Sequence, residues 1–411
     1  MVFNDAIGSR RVFFTDLRFT RELWCCSEPS LIADILDLKV DEDAAGYLAA
    51  AVKIDPEYWW PGESTLYKGV RHLLPNHYLD LNTGKTGRYW PSRSLSMLPL
   101  DVVVRRCSFL LRGLLASAAN RFSLMVTLTA GWDSRLVLAA SKDIRHQLSY
   151  MTLRQAGEPD DDPDITVASK IASKLELRHQ VVSAHQTVDE NFRELFTKHS
   201  MPAHEVWLLD AQAILDFYKL DKVVVTGSAS ETARCFYKRL PRYLKWKMTG
   251  DYLASLASMK HPFAVAEFNS WLAGVPRTQM VDSLDLFYWE QRAGNWLAMC
   301  QAEFDTAWSE NFTPFNCRLL LENMLSTQQI YRQSPNYVLY KELISTLWPE
   351  VLEEPINPQK GKTEPSYSQY MWEYMWMIRC LFFPNLHRNS PLIRSLTGRL
   401  PWKHGAKEDR V

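Results

Sequence analysis

The spacing of apolar residues changes character near residue 100 of this 411-residue chain. Ahead of that point the runs are short. "RRVFFTDL" and "ELWCC" have the alternation of strands, "EDAAGYLAAAVK" has helical spacing, and "HYLDL" and "TGRYW" flank Asn82-Thr83-Gly84-Lys85 as the arms of a hairpin flank its turn. Residues 1–92 are therefore expected to form a small β-rich or α+β unit, followed by a linker at Pro91-Ser92-Arg93-Ser94-Leu95-Ser96.

From Asp101 helical and strand patterns alternate. Val104, Leu111, Leu114, Leu115 and Ala118 share one face of a helix over "DVVVRRCSFLLRGLLASAANRF", with Asp101 as its expected cap. Strands are predicted at "LMVTL", "QLSYMTLR", "HQVVS" and "KVVVTG". Between them lie helices starting at Ser134, running through "DITVASKIASKLEL", and around "EVWLLDAQAILDFYK". Strands separated by helices of this length predict parallel βαβ units, hence an α/β fold with helices on both faces of a parallel sheet. Beyond about Phe236 the pattern is helical and rich in tryptophan, without a repeat period.

Composition narrows this picture only slightly. A hydrophobic share of 46% with 23% charged residues is that of a globular domain, and 47 basic residues balance 47 acidic ones, so no global field favours nucleic acid or an anionic membrane. The basic, aromatic stretch "FYKRLPRYLKWK" reads as a solvated helix face. The seven cysteines (Cys25, Cys26, Cys107, Cys235, Cys300, Cys317, Cys380) are odd in number and lack a C-x-x-C pair. That pattern argues against a zinc site and a disulfide framework, and predicts a reducing, cytoplasmic setting. The N-terminus lacks the apolar core of a signal peptide. "YMWEYMWMIRCLFF" is too short for a membrane span and contains Glu373 and Arg379, so it is expected to be a buried helix.

Candidate chemistry concentrates in "LMVTLTAGWDSRLVLAAS", Leu124 to Ser141. In an open parallel sheet ligands bind beyond the carboxyl ends of the strands, where loops feed helix N-termini whose N–H groups and dipole suit phosphate. Gly131 would let the backbone approach a phosphate, Ser134 would add a hydroxyl, and Asp133 would hold a divalent cation. The pattern matches neither G-x-x-x-x-G-K-[ST] nor G-x-G-x-x-G. On these residues alone, a phosphate cradle and a plain strand–turn–helix capped by Asp133 and Ser134 are equally good readings.

"TAGWDSR" resembles the S-G-G-x-D-S pyrophosphate loop of the asparagine synthetase family, whose synthetase domain is of the adenine-nucleotide α-hydrolase type. Further segments follow in that family's order. "FNDAIGSRRVFF", then "GESTLYKGVRHLLPNHYLDL" followed by "RYW", are similar to the later part of its glutamine amidotransferase domain, which is Ntn-hydrolase-like. "DDPDITVASKIASKLELRHQVV" is similar to the segment in which an acidic residue and a helix lead to a histidine-bearing strand. "VVTGSASETARCFY" stands where the family has G-D-G-x-D-E, and "QKGKTEP" resembles its late K-G-x-x-x-P segment. The resemblance covers nearly the whole chain. It implies a truncated, incomplete amidotransferase-like domain at 1–92, an ATP-pyrophosphatase domain with a C-terminal helical region at 101–390, and a tail at 391–411.

The resemblance also implies a reaction. ATP adenylates a substrate carboxylate, pyrophosphate leaves, and ammonia or an amine attacks the acyl-adenylate to give an amide and AMP. Carried over by position, Thr129, Ala130, Gly131, Asp133 and Ser134, with Gly227 and Ser228, would bind the nucleotide. Asp133 and Glu231 would hold Mg²⁺, and Lys360 would steady charge at the acyl centre, a task suited to a compact ammonium. Three departures stand out. Ala130 replaces a glycine, which is tolerable while φ stays negative. Ser228 replaces a metal-binding aspartate, leaving Glu231 as the expected second ligand and catalytic acid. The family's N-terminal cysteine nucleophile is missing: no cysteine precedes Cys25 and Cys26, which are expected to be buried strand residues.

Glutaminase activity is therefore not expected. The expected partners are a small-molecule, peptide or glycan carboxylate and either ammonia, an amine or a separate glutaminase subunit, with no membrane and no nucleic acid. The competing reading is a nucleotide-binding accessory subunit that has lost catalysis. In "FYWEQRAGNW", Glu290, Arg292 and Asn295 would line an acceptor pocket or form structural pairs at its wall, and His179 is expected to pack near the nucleotide.

Overall fold

The computed structural model describes residues 1–199, 202–218, 222–237, 248–276, 281–307 and 310–358. In chain order the first part contains β1 (Val2–Phe3), β2 (Phe13–Thr15), β3 (Cys25–Cys26), α1 (Pro29–Leu36), α2 (Glu42–Ile54), β4 (Val70–His72), β5 (His77–Asp80) and β6 (Lys85–Arg88). They form two antiparallel sheets, ordered β1-β5-β6 and β3-β2-β4, and the hairpin β5–β6 pairs His77 with Arg88 and Asp80 with Lys85. Two small clusters, Phe13/Ile32/Val70 and Phe14/Leu73/Leu79, belong to this part alone, whereas Tyr47, Trp59 and Trp60 join the main core. Cys25 is exposed and Cys26 half-buried, so the expectation of buried strand cysteines fails: β3 is an edge strand with one side open.

The alternating part follows as α3 (Leu100–Ala119), β7 (Leu124–Thr127), α4 (Trp132–Ala140), β8 (Ser149–Arg154), α5 (Pro163–Lys174), β9 (His179–Ser183), α6 (Glu190–His199), α7 (Leu208–Tyr218) and β10 (Val223–Val225). Helices then dominate: α8 (Gly250–Leu256), α9 (Pro262–Ala273), α10 (Ser283–Phe287), a π-helical stretch (Tyr288–Leu297) and α11 (Ala298–Phe304). They are followed by β11 (Glu310–Phe312), α12 (Arg318–Leu325) and α13 (Val338–Leu347). β11 returns to the sheet beside β10. Its sequence "ENF" carries no apolar run, because it is an edge strand whose residues are exposed or half-buried.

The five-stranded sheet is parallel throughout, ordered β11-β10-β7-β8-β9. Period-two burial sends its side chains into two helical layers. Leu124, Val126, Val223 and Val225 pack with Leu111, Leu136, Val167 and Leu343 in the larger core. Met125, Met151, Val182 and Val224 pack with Phe192, Phe196, Leu208 and Ile214 on the other face. The fold is α/β, a parallel sheet with helices on both faces. No helix among the described residues is long and apolar enough to cross a membrane.

Two helix starts differ from expectation. α3 begins at Leu100 with Pro99 at the cap position, and Asp101 lies in the first turn, where its charge meets the helix dipole. α4 begins at Trp132 after an extended Gly131, so Asp133 and Ser134 belong to the first turn itself.

Candidate active site

Strand order reverses between β7 and β10. From β7 the chain steps outward through β8 to β9, and β10 and β11 then lie on the other side. Such a switch point opens a crevice at the carboxyl ends of the two central strands, the place where open α/β sheets bind ligands. The loops leaving β7 and β10 there are Leu128–Gly131 and Thr226–Ala229, which carry most of the residues singled out in the sequence.

The first loop is closed by its own side chains. The Thr129 N–H donates to Ser134 Oγ (3.1 Å), the Gly131 N–H donates to Thr129 Oγ1 (3.1 Å), and the two hydroxyls lie 2.9 Å apart. The Ala130 N–H donates to Asp164 Oδ1 at 2.7 Å, from the first turn of α5. Burial raises the Asp164 carboxyl above its ordinary pKa, although the Ala130 N–H pulls the other way. Ala130 is not among the positive-φ residues, so its methyl group is tolerated as expected.

The second loop comes close to the first because Gly227 has no side chain. A Cβ there would lie 2.6 Å from the Asp133 carbonyl carbon, nearer than real atoms approach. Ala229, in the left-handed region at φ 72°, turns the chain into a short 3₁₀ segment, Ser230–Ala233. This brings Glu231 and Arg234 to Asp133. Arg234 Nη2 lies 3.1 Å from Asp133 Oδ2 and 3.3 Å from Glu231 Oε1, while Ser230 Oγ donates to Asp133 Oδ1. Thr313 Oγ1 donates to the Ser228 carbonyl (2.7 Å), tying this loop to the chain just past β11.

A third segment closes over the first loop. Arg135, wholly buried on α4, donates through Nη1 to the carbonyls of Val351 (2.8 Å) and Glu354 (3.0 Å), and through Nη2 to Pro355 (2.6 Å). Burial lowers its pKa to about 10, which leaves it charged at neutral pH. The segment it holds ends at Asn357, whose N–H donates to the Ala130 carbonyl (3.0 Å). Lys360 and the rest of "QKGKTEP" lie outside the described residues, as do "YMWEYMWMIRCLFF" and most of "FYKRLPRYLKWK".

Thr129, Ala130, Gly131, Asp133, Ser134, Gly227, Ser228 and Glu231 are thus gathered at one crevice. The expected Mg²⁺ does not fit the acid pair as arranged, because both carboxylates are engaged by one guanidinium and Ser230 takes the second Asp133 oxygen. Sequence reasoning missed Arg234 and Arg135, although each left a signal: an acid three residues before Arg234, and a lone charge in the apolar run "RLVLAA" for Arg135.

Other candidates lie apart from this crevice. Glu290 and Asn295 make structural contacts at the seam with the first ninety residues: Glu290 with Asn76 (3.1 Å), Arg88 and Trp271 (2.8 Å), Asn295 with His72 (2.9 Å) and Gly62 (3.2 Å). Arg292 stacks between Phe236 and Trp296. His179 Nε2 bonds Thr152 Oγ1 (2.8 Å). Among the described residues one cluster, His204, Cys300 and Glu303, brings three possible metal ligands together, but both imidazole nitrogens are already bonded, to Glu303 (3.0 Å) and the Tyr58 carbonyl (2.6 Å). Burial, foremost, also holds the Cys300 thiol well above its usual pKa, so it stays protonated.

No protein-family model matches the chain, and no curated protein matches it. Among solved structures it is similar to an NH3-dependent NAD synthetase from Campylobacter jejuni, at 13% identity and TM-score 0.25, over 44% of this chain and 99% of that one. A glutamine-dependent NAD+ synthetase from Acinetobacter baumannii gives 12% identity and TM-score 0.25 over 61% and 55% of the two chains. An NMN synthetase from Francisella tularensis gives 11% and 0.24 over 47% and 93%. These scores are too low to assign a family.

Proposed function

We propose that this protein is an ATP-dependent, amide-forming ligase. A carboxylate oxygen of the substrate attacks the α-phosphorus of ATP and pyrophosphate leaves; ammonia or an amine then attacks the acyl carbon, giving an amide and AMP. The observation that carries the reading is the convergence of both motif loops, 128–134 and 226–231, at the switch point of the parallel sheet. The N–H groups of Thr129, Ala130 and Gly131 are held by side-chain oxygens that phosphate oxygens can replace, with the Ser134 hydroxyl beside them. Lys360 is the proposed group at the acyl centre, on the resemblance of "QKGKTEP" to the late K-G-x-x-x-P segment. Nitrogen comes from ammonia or an amine of the acceptor.

The test is exchange of labelled pyrophosphate into ATP, measured with pools of carboxylic acids. Carboxylate-dependent exchange that falls by about 10²-fold or more in Asp133→Asn is the expected result. ATP binding without exchange under any pool would favour the second reading, an accessory nucleotide-binding subunit, to which the Asp133–Arg234–Glu231 contacts and Ser228 lend support.

A further inference from the structure

We propose that Arg234 is the resident cation of this site among the described residues: it holds Asp133 and Glu231 together in the place a divalent ion would take, so that the protein without nucleotide offers no divalent-cation site between the two loops. The proposal rests on the reading of these loops as the phosphate end of a nucleotide site.

The side chains of Arg234, Asp133 and Glu231 are 4%, 13% and 4% exposed. Two carboxylates drawn together at low exposure repel each other and lose hydration, so the folded chain needs a positive charge between them. Arg234 Nη2 supplies it, at 3.1 and 3.3 Å from one oxygen of each acid. A magnesium-like ion would need the same oxygens at about 2.0–2.1 Å, within the space and charge balance the guanidinium already fills.

The arrangement is fixed from several sides. Ser230 donates to the other Asp133 oxygen, and Tyr340 Oη donates to the Ser230 carbonyl at 2.6 Å. The Arg234 guanidinium lies 5.6 Å from the centre of the Tyr337 ring. Arg234 also belongs to the same turn as Glu231, so acid and counter-charge enter the site on one segment.

The chemical consequence is a coupling. A guanidinium is well suited to phosphate oxygens, and a polyphosphate that draws Arg234 away from an acid exposes that acid at the same moment. Divalent-cation binding here is therefore secondary to phosphate binding.

The experiment uses the full chain without nucleotide, with Mn²⁺ alone as the probe, read by loss of the free-ion electron paramagnetic resonance signal and by thermal melting. Wild type is expected to show no binding that depends on Asp133. Arg234→Met is expected to gain a saturable site and a melting temperature that rises with Mn²⁺, and adding Asp133→Asn should remove both gains. Asp133-dependent Mn²⁺ binding by wild type overturns the proposal, as does a folded Arg234→Met that gains no site. Should Arg234→Met fail to fold, wild type against Asp133→Asn decides alone, equal Mn²⁺ binding supporting the assignment. Absence of pyrophosphate exchange alongside the expected Mn²⁺ results would remove the ligase reading and leave Arg234 as the cation.

Discussion

Two regions of this molecule bury charged and polar groups, and they satisfy them differently. At the seam between the first ninety residues and the helical part, the charges of Glu290 and Arg318 are met by fixed partners, most of them from distant stretches of chain. Glu290 accepts from Asn76, Arg88 and Trp271, while Arg318 reaches Asn76 (2.5 Å) and Tyr89 (2.7 Å) and lies against Trp90 and Trp289. Past the carboxyl end of β7 the N–H groups of Thr129, Ala130 and Gly131 are instead met by small side-chain oxygens of Ser134, Asp164 and Thr129. Those oxygens are of the type a phosphate offers. The seam is satisfied by partners held within the packed chain, whereas the loop after β7 is satisfied by oxygens that, on the proposed reading, phosphate oxygens would replace. Polar burial of the first kind holds a fold together, and of the second kind marks a site.

The comparison breaks first at Glu290. Glu290→Ala leaves the half-buried Arg88 without its acid and Trp271 Nε1 without its acceptor, so unfolding in urea should show a loss of about 3–5 kcal/mol. A loss under about 1 kcal/mol, the worth of an exposed pair, would mean that the seam is not an essential junction. Arg135→Met should come next, because it strips the carbonyls of Val351, Glu354 and Pro355 of their donor, at about 1–3 kcal/mol for a buried group left unsatisfied. Its second effect separates it from a seam mutation. With the segment to Asn357 loosened, pyrophosphate exchange should fall further than stability explains, while Glu290→Ala should reduce exchange only in proportion to the folded fraction. Equal behaviour of the two variants would erase the distinction between the regions.

The same contrast explains what the sequence made legible. The strands β7, β8 and β10 and the helices α4, α5 and α7 announced themselves because a parallel sheet covered on both faces needs apolar runs, whereas α6 was not predicted, and the switch-point loops are short and close to the strands in sequence. β11 was not legible: its three residues are held by pairing with β10 and carry no pattern of their own. The pairing of Asp133 with Arg234 spans about a hundred residues and depends on Gly227 permitting close approach. Periodicity reports local structure only, so nothing in it foretold that an arginine would stand between the two acids. The seam was hidden for the same reason, since the contact of Glu290 with Arg88 joins elements some two hundred residues apart.

The smallest effect is read through pH, because the seam holds two buried histidines whose pKa values are shifted in opposite directions. Burial, foremost, lowers the His72 pKa to about 4, its Nδ1–H donating to Asn295. Burial opposes the charge on His204 as well, but Glu303 at 3.0 Å and the Tyr58 carbonyl outweigh it and raise its pKa. The signs then follow from linkage. An unfolded histidine titrates near about 6.5. Below that value the unfolded chain gains a proton that folded His72 refuses until about 4, so its share of stability falls as the solution becomes acidic. Above it the unfolded chain loses a proton that folded His204 retains, so the His204–Glu303 pairing is fully present below about 6.5 and fades as pH rises through the raised pKa. His204→Gln should therefore flatten the alkaline side of the stability profile and leave the acid side in place, measured by urea midpoints across pH. An alkaline side that keeps its slope in His204→Gln would show that His204 is neutral in the folded chain, and the seam would then hold two uncharged histidines.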